Sequence, residues 1–213
     1  MTRRQRIDDL TRLVMPEQPA LSPDGSQIVY VLRASDTDAD AEVRALWRVG
    51  VRDGEPRQLT RGQADVAPAW SPDGSKIAFL RAQDGPPQIW LLPAAGGEPE
   101  KLTTLPLGAG APLWSPDGSK LAFAAPVDQH AGADDDDRAR ARRAGAPIET
   151  DRLDYQADGA GLLRTIRKHL HVLELDTRQC RQVTSGAWHA GDPAWSPGSD
   201  SSRSPRRLHR TLT

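Results

Sequence analysis

Ser22-Pro23-Asp24-Gly25, Ser71-Pro72-Asp73-Gly74 and Ser115-Pro116-Asp117-Gly118 are one tetrapeptide written three times in a chain of 213 residues. Each copy runs straight into a short apolar stretch: Gln27-Ile28-Val29-Tyr30, Lys76-Ile77-Ala78-Phe79 and Lys120-Leu121-Ala122-Phe123. Trp70 and Trp114 stand just before the second and third copies, and Leu21 before the first. A fourth copy starts as Pro193-Ala194-Trp195-Ser196-Pro197. Between the turns a second block recurs: Leu46-Trp47-Arg48-Val49, Ile89-Trp90-Leu91-Leu92 and Leu170-His171-Val172-Leu173. These lead to Gln58-Leu59-Thr60, Lys101-Leu102-Thr103 and Gln182-Val183-Thr184. Trp47 to Leu59, Trp90 to Leu102 and His171 to Val183 span the same distance, so the chain is a repeat in register.

The chemistry of the repeat is that of hairpins. Serine bonds back to the backbone, proline sets φ at the second turn position, aspartate suits the third, and glycine accepts φ > 0. The flanking runs are short, rich in Val, Ile, Trp and Phe, and punctuated by Asp-Gly or Gly-Gly, which is strand-turn-strand grammar. No apolar stripe at helical spacing runs through the units, which argues against leucine-rich and helical repeats. Each unit therefore reads as four antiparallel strands, and a period of roughly 45 residues fits a propeller blade. The expected fold is all-β, an incomplete β-propeller with blades at 18–60, 66–103 and 109–184 and the opening strand of a fourth at 192–197. Propellers close with about four to eight blades, so three blades and a strand do not make a ring.

Composition narrows the function classes. There are 28 Lys and Arg against 29 Asp and Glu, so no global basic field points to nucleic acid. Cys180 is the only cysteine, so no internal disulfide can form. The basic start, Met1 to Arg6, is followed by Asp8, Asp9, Arg12 and Glu17 where a secretory leader needs an apolar run. No stretch reaches the apolar length of a membrane helix. The expectation is a cytoplasmic chain without a membrane partner.

Three segments fall outside the repeat. In 1–17, Ile7, Leu10, Leu13 and Val14 share a face at helical spacing; this predicts a short amphipathic helix, either a cap on the first blade or a docking element for a second domain. The third blade carries an insertion at 126–168. Its first half holds Asp134 to Asp137 and then Arg138, Arg140, Arg142 and Arg143, a composition expected to stay mobile. In its second half Leu153-Asp154-Tyr155 and Leu162-Leu163 flank Asp158-Gly159, the pattern of an extra hairpin. The tail, 198–213, reads Gly198-Ser199-Asp200-Ser201-Ser202-Arg203 and onward where a fourth Asp-Gly belongs. It is expected to be disordered and to reflect a truncated or frame-shifted product, with a naturally divergent tail as the alternative.

Catalytic and metal chemistry finds no footing. The Gly-x-Ser-x-Gly elbow of α/β-hydrolases does not occur. The serines of the Ser-Pro-Asp-Gly turns are explained by turn structure, and no carboxylate pair stands apart from a turn. Asp36, Asp38, Asp40 and Glu42 alternate as calcium ligands do but lack the glycine and terminal glutamate of the helix-loop-helix site; a solvated hairpin loop is expected. His169 and His171 share a strand face at a spacing that suits a transition metal, yet their alignment with Leu46-Trp47 and Ile89-Trp90 marks them as ordinary strand positions. Gly96-Gly97 is a hairpin turn and not a phosphate loop. No catalytic, metal or cofactor site is assigned.

The chain resembles the N-terminal propeller of the prolyl oligopeptidase family of serine peptidases, in its acylaminoacyl-peptidase and dipeptidyl-peptidase-like branch. The resemblance rests on Pro19-Ala20-Leu21-Ser22-Pro23-Asp24-Gly25 after the segment Ile7 to Met15, Ala45-Leu46-Trp47, Gly54-Glu55-Pro56-Arg57-Gln58-Leu59-Thr60 and Pro68-Ala69-Trp70-Ser71-Pro72-Asp73-Gly74. Arg152-Leu153-Asp154-Tyr155-Gln156-Ala157-Asp158-Gly159 leading to Lys168-His169-Leu170 extends it. TolB-like propellers share the Trp-Ser-Pro-Asp-Gly repeat. In the peptidase family the propeller is usually seven-bladed and covers a C-terminal α/β-hydrolase domain, restricting its Ser-Asp-His triad to short peptides. The resemblance thus implies a substrate-gating portion of a peptidase acting on short or N-acylated peptides, inactive alone, with peptide reached only through a hydrolase domain and self-association through open blade edges. A TolB-like protein-binding module and a non-functional remnant are the alternatives.

Overall fold

The computed structural model describes residues 6–52, 54–62, 64–129 and 165–196, with short stretches at 142, 145–147, 156–157 and 161–162. After a 3-10 helix at Ile7–Arg12, the strands are β1 (Met15–Leu21), β2 (Gln27–Asp36), β3 (Ala41–Gly50), β4 (Arg57–Gln58), β5 (Asp65–Trp70), β6 (Lys76–Arg81), β7 (Gln88–Pro93), β8 (Glu100–Lys101), β9 (Leu113–Trp114), β10 (Lys120–Asp128), β11 (Gln156–Ala157), β12 (Gly161–Leu162), β13 (Ile166–Glu174) and β14 (Cys180–Gln182). They form three four-stranded antiparallel sheets, β1-β2-β3-β4, β5-β6-β7-β8 and β9-β10-β13-β14, plus the pair β11-β12. The architecture is an open, unclosed β-propeller of three blades.

Alternation along each strand places one row of side chains on each blade face. Val29, Val31 and Leu46 of blade 1 meet Ile77, Phe79 and Leu92 of blade 2 in one buried cluster. Ala78, Leu80, Ile89 and Leu91 on the other face of blade 2 meet Trp114, Leu121, Phe123 and Leu173 of blade 3 in a second. The core is thus a stack of seams between blades, and each blade depends on its neighbours for burial.

Several boundaries differ from the sequence reading. The helical segment is one 3-10 stretch ending at Arg12, and Leu13 and Val14 beyond it are exposed, so they form no continuing helical face. Strand begins at Met15, ahead of position 18, because a bulge between Glu17 and Ala20 keeps the chain paired with β2 on both sides of Gln18-Pro19. Blade 2 repeats the device between Val66 and Ala69. Gln18 and Ala67 carry φ of 52° and 53°, the extra residue of each bulge turning the strand before a proline that cannot donate to the ladder. The blade 3 excursion runs from 129 to 165, narrower than 126–168, because β10 and β13 pair continuously from Lys120↔Glu174 to Asp128↔Ile166. Within it Gln156↔Leu162 and Ala157↔Gly161 pair as a hairpin about the Asp-Gly position. The Asp134–Asp137 run, Arg138, Arg140 and Arg143 after it, Leu153 to Tyr155 and the tail at 198–213 lie outside the described residues. Asp192 to Trp195 is not a strand, since no second strand pairs with it among the described residues.

Candidate functional site: the blade seams and the open face

The three turns are built alike, atom for atom. In the first, Ser22 Oγ donates to Asp24 Oδ1 (2.6 Å) and accepts from Gln27 N–H (2.9 Å), while Ser26 donates from its hydroxyl to Asp24 Oδ2 (2.7 Å). Ser71, Asp73, Ser75 and Lys76 repeat this at 2.6, 2.7 and 2.9 Å. Ser115, Asp117, Ser119 and Lys120 do so at 2.6, 2.9 and 2.9 Å. Each turn serine has its proton on a carboxylate and its oxygen under a backbone N–H, so none is poised as a nucleophile. Hydrogen bonds from Ser22 and Ser26 hold the Asp24 carboxyl at about 2, and those from Ser71 and Ser75 do the same to Asp73. Asp117 is lowered by Ser115 and Ser119. A depressed carboxyl stabilises the fold above its unfolded value near 3.8 and loses that contribution as the pH falls toward 2. The glycines complete the turns at φ of +70°, +70° and +71°.

Neighbouring blades are tied by a hydrogen-bond ladder at their inner strands. The Trp70 indole donates to the Ala20 carbonyl (3.0 Å), Trp114 to Ala69 (2.9 Å), and Trp195 to Leu113 (3.2 Å). In every case the tryptophan before one turn reaches back to the residue two before the previous turn serine. Although Trp195 is in no strand, it therefore holds the position that an inner strand of a fourth blade would. Gln18 Oε1 also accepts the Ala67 N–H (2.7 Å), joining the two bulges. Blade 2 is further pinned by a bidentate pair: Arg81 Nε and Nη2 reach Asp65 Oδ1 and Oδ2 at 2.6 and 2.9 Å. The guanidinium lies over Phe79 and Trp90, 5.3 and 5.0 Å from their centroids. Sequence reading missed this pair, since its equivalents in blade 1, Pro16 and Leu32, are apolar.

The candidate ligand residues have structural jobs. Asp36 Oδ1 accepts the N–H groups of Asp38 and Ala39 (3.0 and 3.1 Å), capping its own turn. Glu42 joins Glu17, Arg33 and Arg44 in a four-membered charge network. His169 and His171 share a face, as their spacing requires, yet engage different partners. His171 stacks on Phe123 at 5.6 Å with its Nδ1 3.1 Å from the His169 carbonyl. His169 is fully buried, its Nδ1 3.2 Å from Thr184 Oγ1 and its Nε2 3.1 Å from the Gly186 carbonyl. Burial pushes both imidazoles below the ordinary histidine range.

Among the described residues no blade is seated on the outer face of blade 1. Exposed large apolar side chains concentrate at this end: Leu13, Val14, Met15, Leu21 and Val51, with Leu113 elsewhere. Ile28, Tyr30, Leu32, Trp47 and Val49 on the same face are half-buried. This is a surface shaped to receive another blade.

The fold and seams define a partial β-propeller of TolB-type blades. The family model of the TolB β-propeller domain matches residues 2–133, more than half of the chain, and the chain belongs to that family. It is 31% identical over 192 residues to YuxL of Bacillus subtilis (strain 168), an uncharacterized peptidase, covering 89% of this chain and 29% of that protein. The acylaminoacyl peptidase of Pyrococcus horikoshii superposes with a TM-score of 0.65 at 18% identity, over 82% of this chain and 26% of that one. TolB of Acinetobacter baumannii gives 0.53 at 17% identity, over 88% and 39%. The chain is homologous to the propeller portion of peptidase-named relatives and spans less than a third of YuxL. No helix among the described residues is long and apolar enough to cross a membrane.

Proposed function

We propose that this polypeptide is the substrate-gating propeller portion of a cytoplasmic serine peptidase of the prolyl oligopeptidase type, acting on short or N-acylated peptides, and that hydrolysis itself belongs to a separate α/β-hydrolase domain. The observation that carries the reading is the alignment of nearly the whole chain with under a third of a peptidase-named relative. The turn serines, each bonded to a carboxylate, agree with a gating role. The exposed thiol of Cys180 suits a reducing compartment. Peptide would meet this chain on its way to the hydrolase domain, and the open face of blade 1 is where further blades would seat.

The purified chain should therefore show no turnover of acylaminoacyl or dipeptidyl chromogenic substrates; turnover that a serine-directed phosphonate abolishes would overturn the assignment. Sedimentation tests the open face separately. Association that grows with concentration is expected. A monodisperse monomer that unfolds cooperatively would favour the second reading, a self-sufficient TolB-like module that binds a protein partner, which the TolB family match supports.

A further inference from the structure

The segment that leads from blade 3 toward Trp195 is clasped to the blade by a residue unlike its counterparts. In blade 2 the position is Gln88: its Oε1 accepts from Thr103 Oγ1 (2.8 Å) and Leu105 N–H (3.0 Å), and its Nε2 donates to the Leu105 carbonyl (2.8 Å). In blade 3 it is His169, holding Thr184 and the Gly186 carbonyl in the same places. Blade 1 has Ala45 there and makes no such clasp through it. An amide keeps its charge state at every pH met in a cell; an imidazole does not.

We propose that His169 makes this clasp pH-sensitive, so that acidification releases the segment from Thr184 to Ala190 from blade 3 while the Gln88 clasp of blade 2 holds. The neutral ring fits its partners. In the Nε2–H tautomer the ring donates to the Gly186 carbonyl, with the Gln129 amide 3.0 Å from Nε2 turned to present its oxygen, and Nδ1 accepts the proton of a Thr184 hydroxyl whose oxygen already takes the Leu170 N–H (2.9 Å). A second proton on the ring makes Nδ1 a donor, and Thr184 must turn its own proton away into a site with no acceptor provided by the clasp. The new charge is also fully buried, with the Trp188 ring perpendicular to the imidazole at 5.6 Å between centroids and the side-chain amide of Gln129 at 3.0 Å.

The surrounding charged groups give little relief. Arg167 and His171 flank His169 on its own strand face, Arg167 a buried cation and His171 a second imidazole. Lys168, between them, is exposed. Asp128 stands on the opposite face of β10, taking the Thr165 hydroxyl at 2.6 Å. From the released segment itself, His189 Nδ1 accepts the Lys168 N–H (3.1 Å) beside the bond from Ala190 N–H to the Lys168 carbonyl (2.7 Å); a proton on that nitrogen removes the acceptor. Burial, the cause that lowers His169, sets the sign. The clasp is at full strength above the ordinary histidine value near 6.5 and weakens as the pH falls below it, by up to about tenfold in the opening equilibrium per pH unit until the buried ring titrates.

Amide hydrogen exchange on the full chain at about pH 7.5 and about pH 5.5, corrected for intrinsic rates, tests this. Protection at 184–190 should drop by up to about tenfold at the lower pH while Lys76–Arg81 and 103–105 keep theirs. His169→Gln, which installs the blade 2 clasp, should match wild type at the higher pH and lose distinctly less protection than wild type on acidification, the remainder being the contact of His189 with Lys168 N–H. Gln88→His should transfer the acid response to 103–105. Undiminished protection of 184–190 in the wild type, or an equal acid loss in His169→Gln, would overturn the proposal. Should the variants fail to fold, NMR titration of the wild-type imidazoles decides: a His169 value at or above about 6.5 overturns it.

Discussion

Tyr30 and Phe79 occupy the same place in successive blades, eight residues after the turn serine and opposite a tryptophan of the third strand. Phe79 is fully buried against blade 1, whereas Tyr30 is half-buried at the free end. The residues around them correspond as well: Ile28 to Ile77, Trp47 to Trp90, Val49 to Leu92. A blade face is therefore not a surface or a core by composition. It becomes one or the other by whether a neighbour is seated, and blade 1 carries the chemistry of a core on the outside of this chain.

The largest expected effect lies in the covered face. Asp65→Ala strands the Arg81 guanidinium, and a loss of about 3–5 kcal/mol in denaturant unfolding is expected; the apolar pair Asp65→Pro with Arg81→Leu, copied from blade 1, should recover part of it. Next, Phe79→Ala should cost about 3–5 kcal/mol and Tyr30→Ala about 1–2 kcal/mol, both measured at low protein concentration. Equal losses would mean that something covers the blade 1 face in solution. Smaller again is the indole ladder. Trp70→Phe or Trp114→Phe should lower stability by about 1 kcal/mol by leaving a carbonyl without its donor. Leu21→Trp, which supplies the missing rung, should change nothing in the isolated chain and stabilise only an assembly in which another blade sits there. The smallest effect concerns the bulges: Ala67→Gly relieves a left-handed alanine and should gain about 0.5 kcal/mol after the entropy of glycine is subtracted. Gln18→Gly should gain less, because it also loses the bond to Ala67 N–H. A gain at position 18 that exceeds the one at 67 would show that this bond contributes nothing.

Much of this was legible in the sequence because the repeat is carried by residues whose roles are local. Ser-Pro-Asp-Gly makes its turn from its own atoms, and the strands after it follow from alternation. The bulges were not legible, since an alanine or glutamine in left-handed conformation has no signature beyond the proline that follows. Neither was the Asp65–Arg81 pair, which joins residues from two strands and recurs in no other blade. The insertion is narrower than 126–168 because Pro126 sits within a continuous ladder opposite Lys168, a pairing that the repeat alone does not reveal. His169 was noticed for its spacing from His171, while the informative comparison was vertical, with Gln88 one blade earlier.

One small device recurs at the outer rim of all three blades. Leu46, Ile89 and Leu170 each send their N–H to a threonine hydroxyl, Thr60, Thr103 and Thr184, at 3.0, 2.9 and 2.9 Å. A side-chain oxygen thus takes over where the fourth strand runs out, and β4, β8 and β14 need only two or three residues. The outermost strand of each blade is thus too short to present a long edge, which makes it a poor template for amyloid-like strand addition. Short outer strands of this kind favour the stacking of apolar faces over the sideways extension of a sheet.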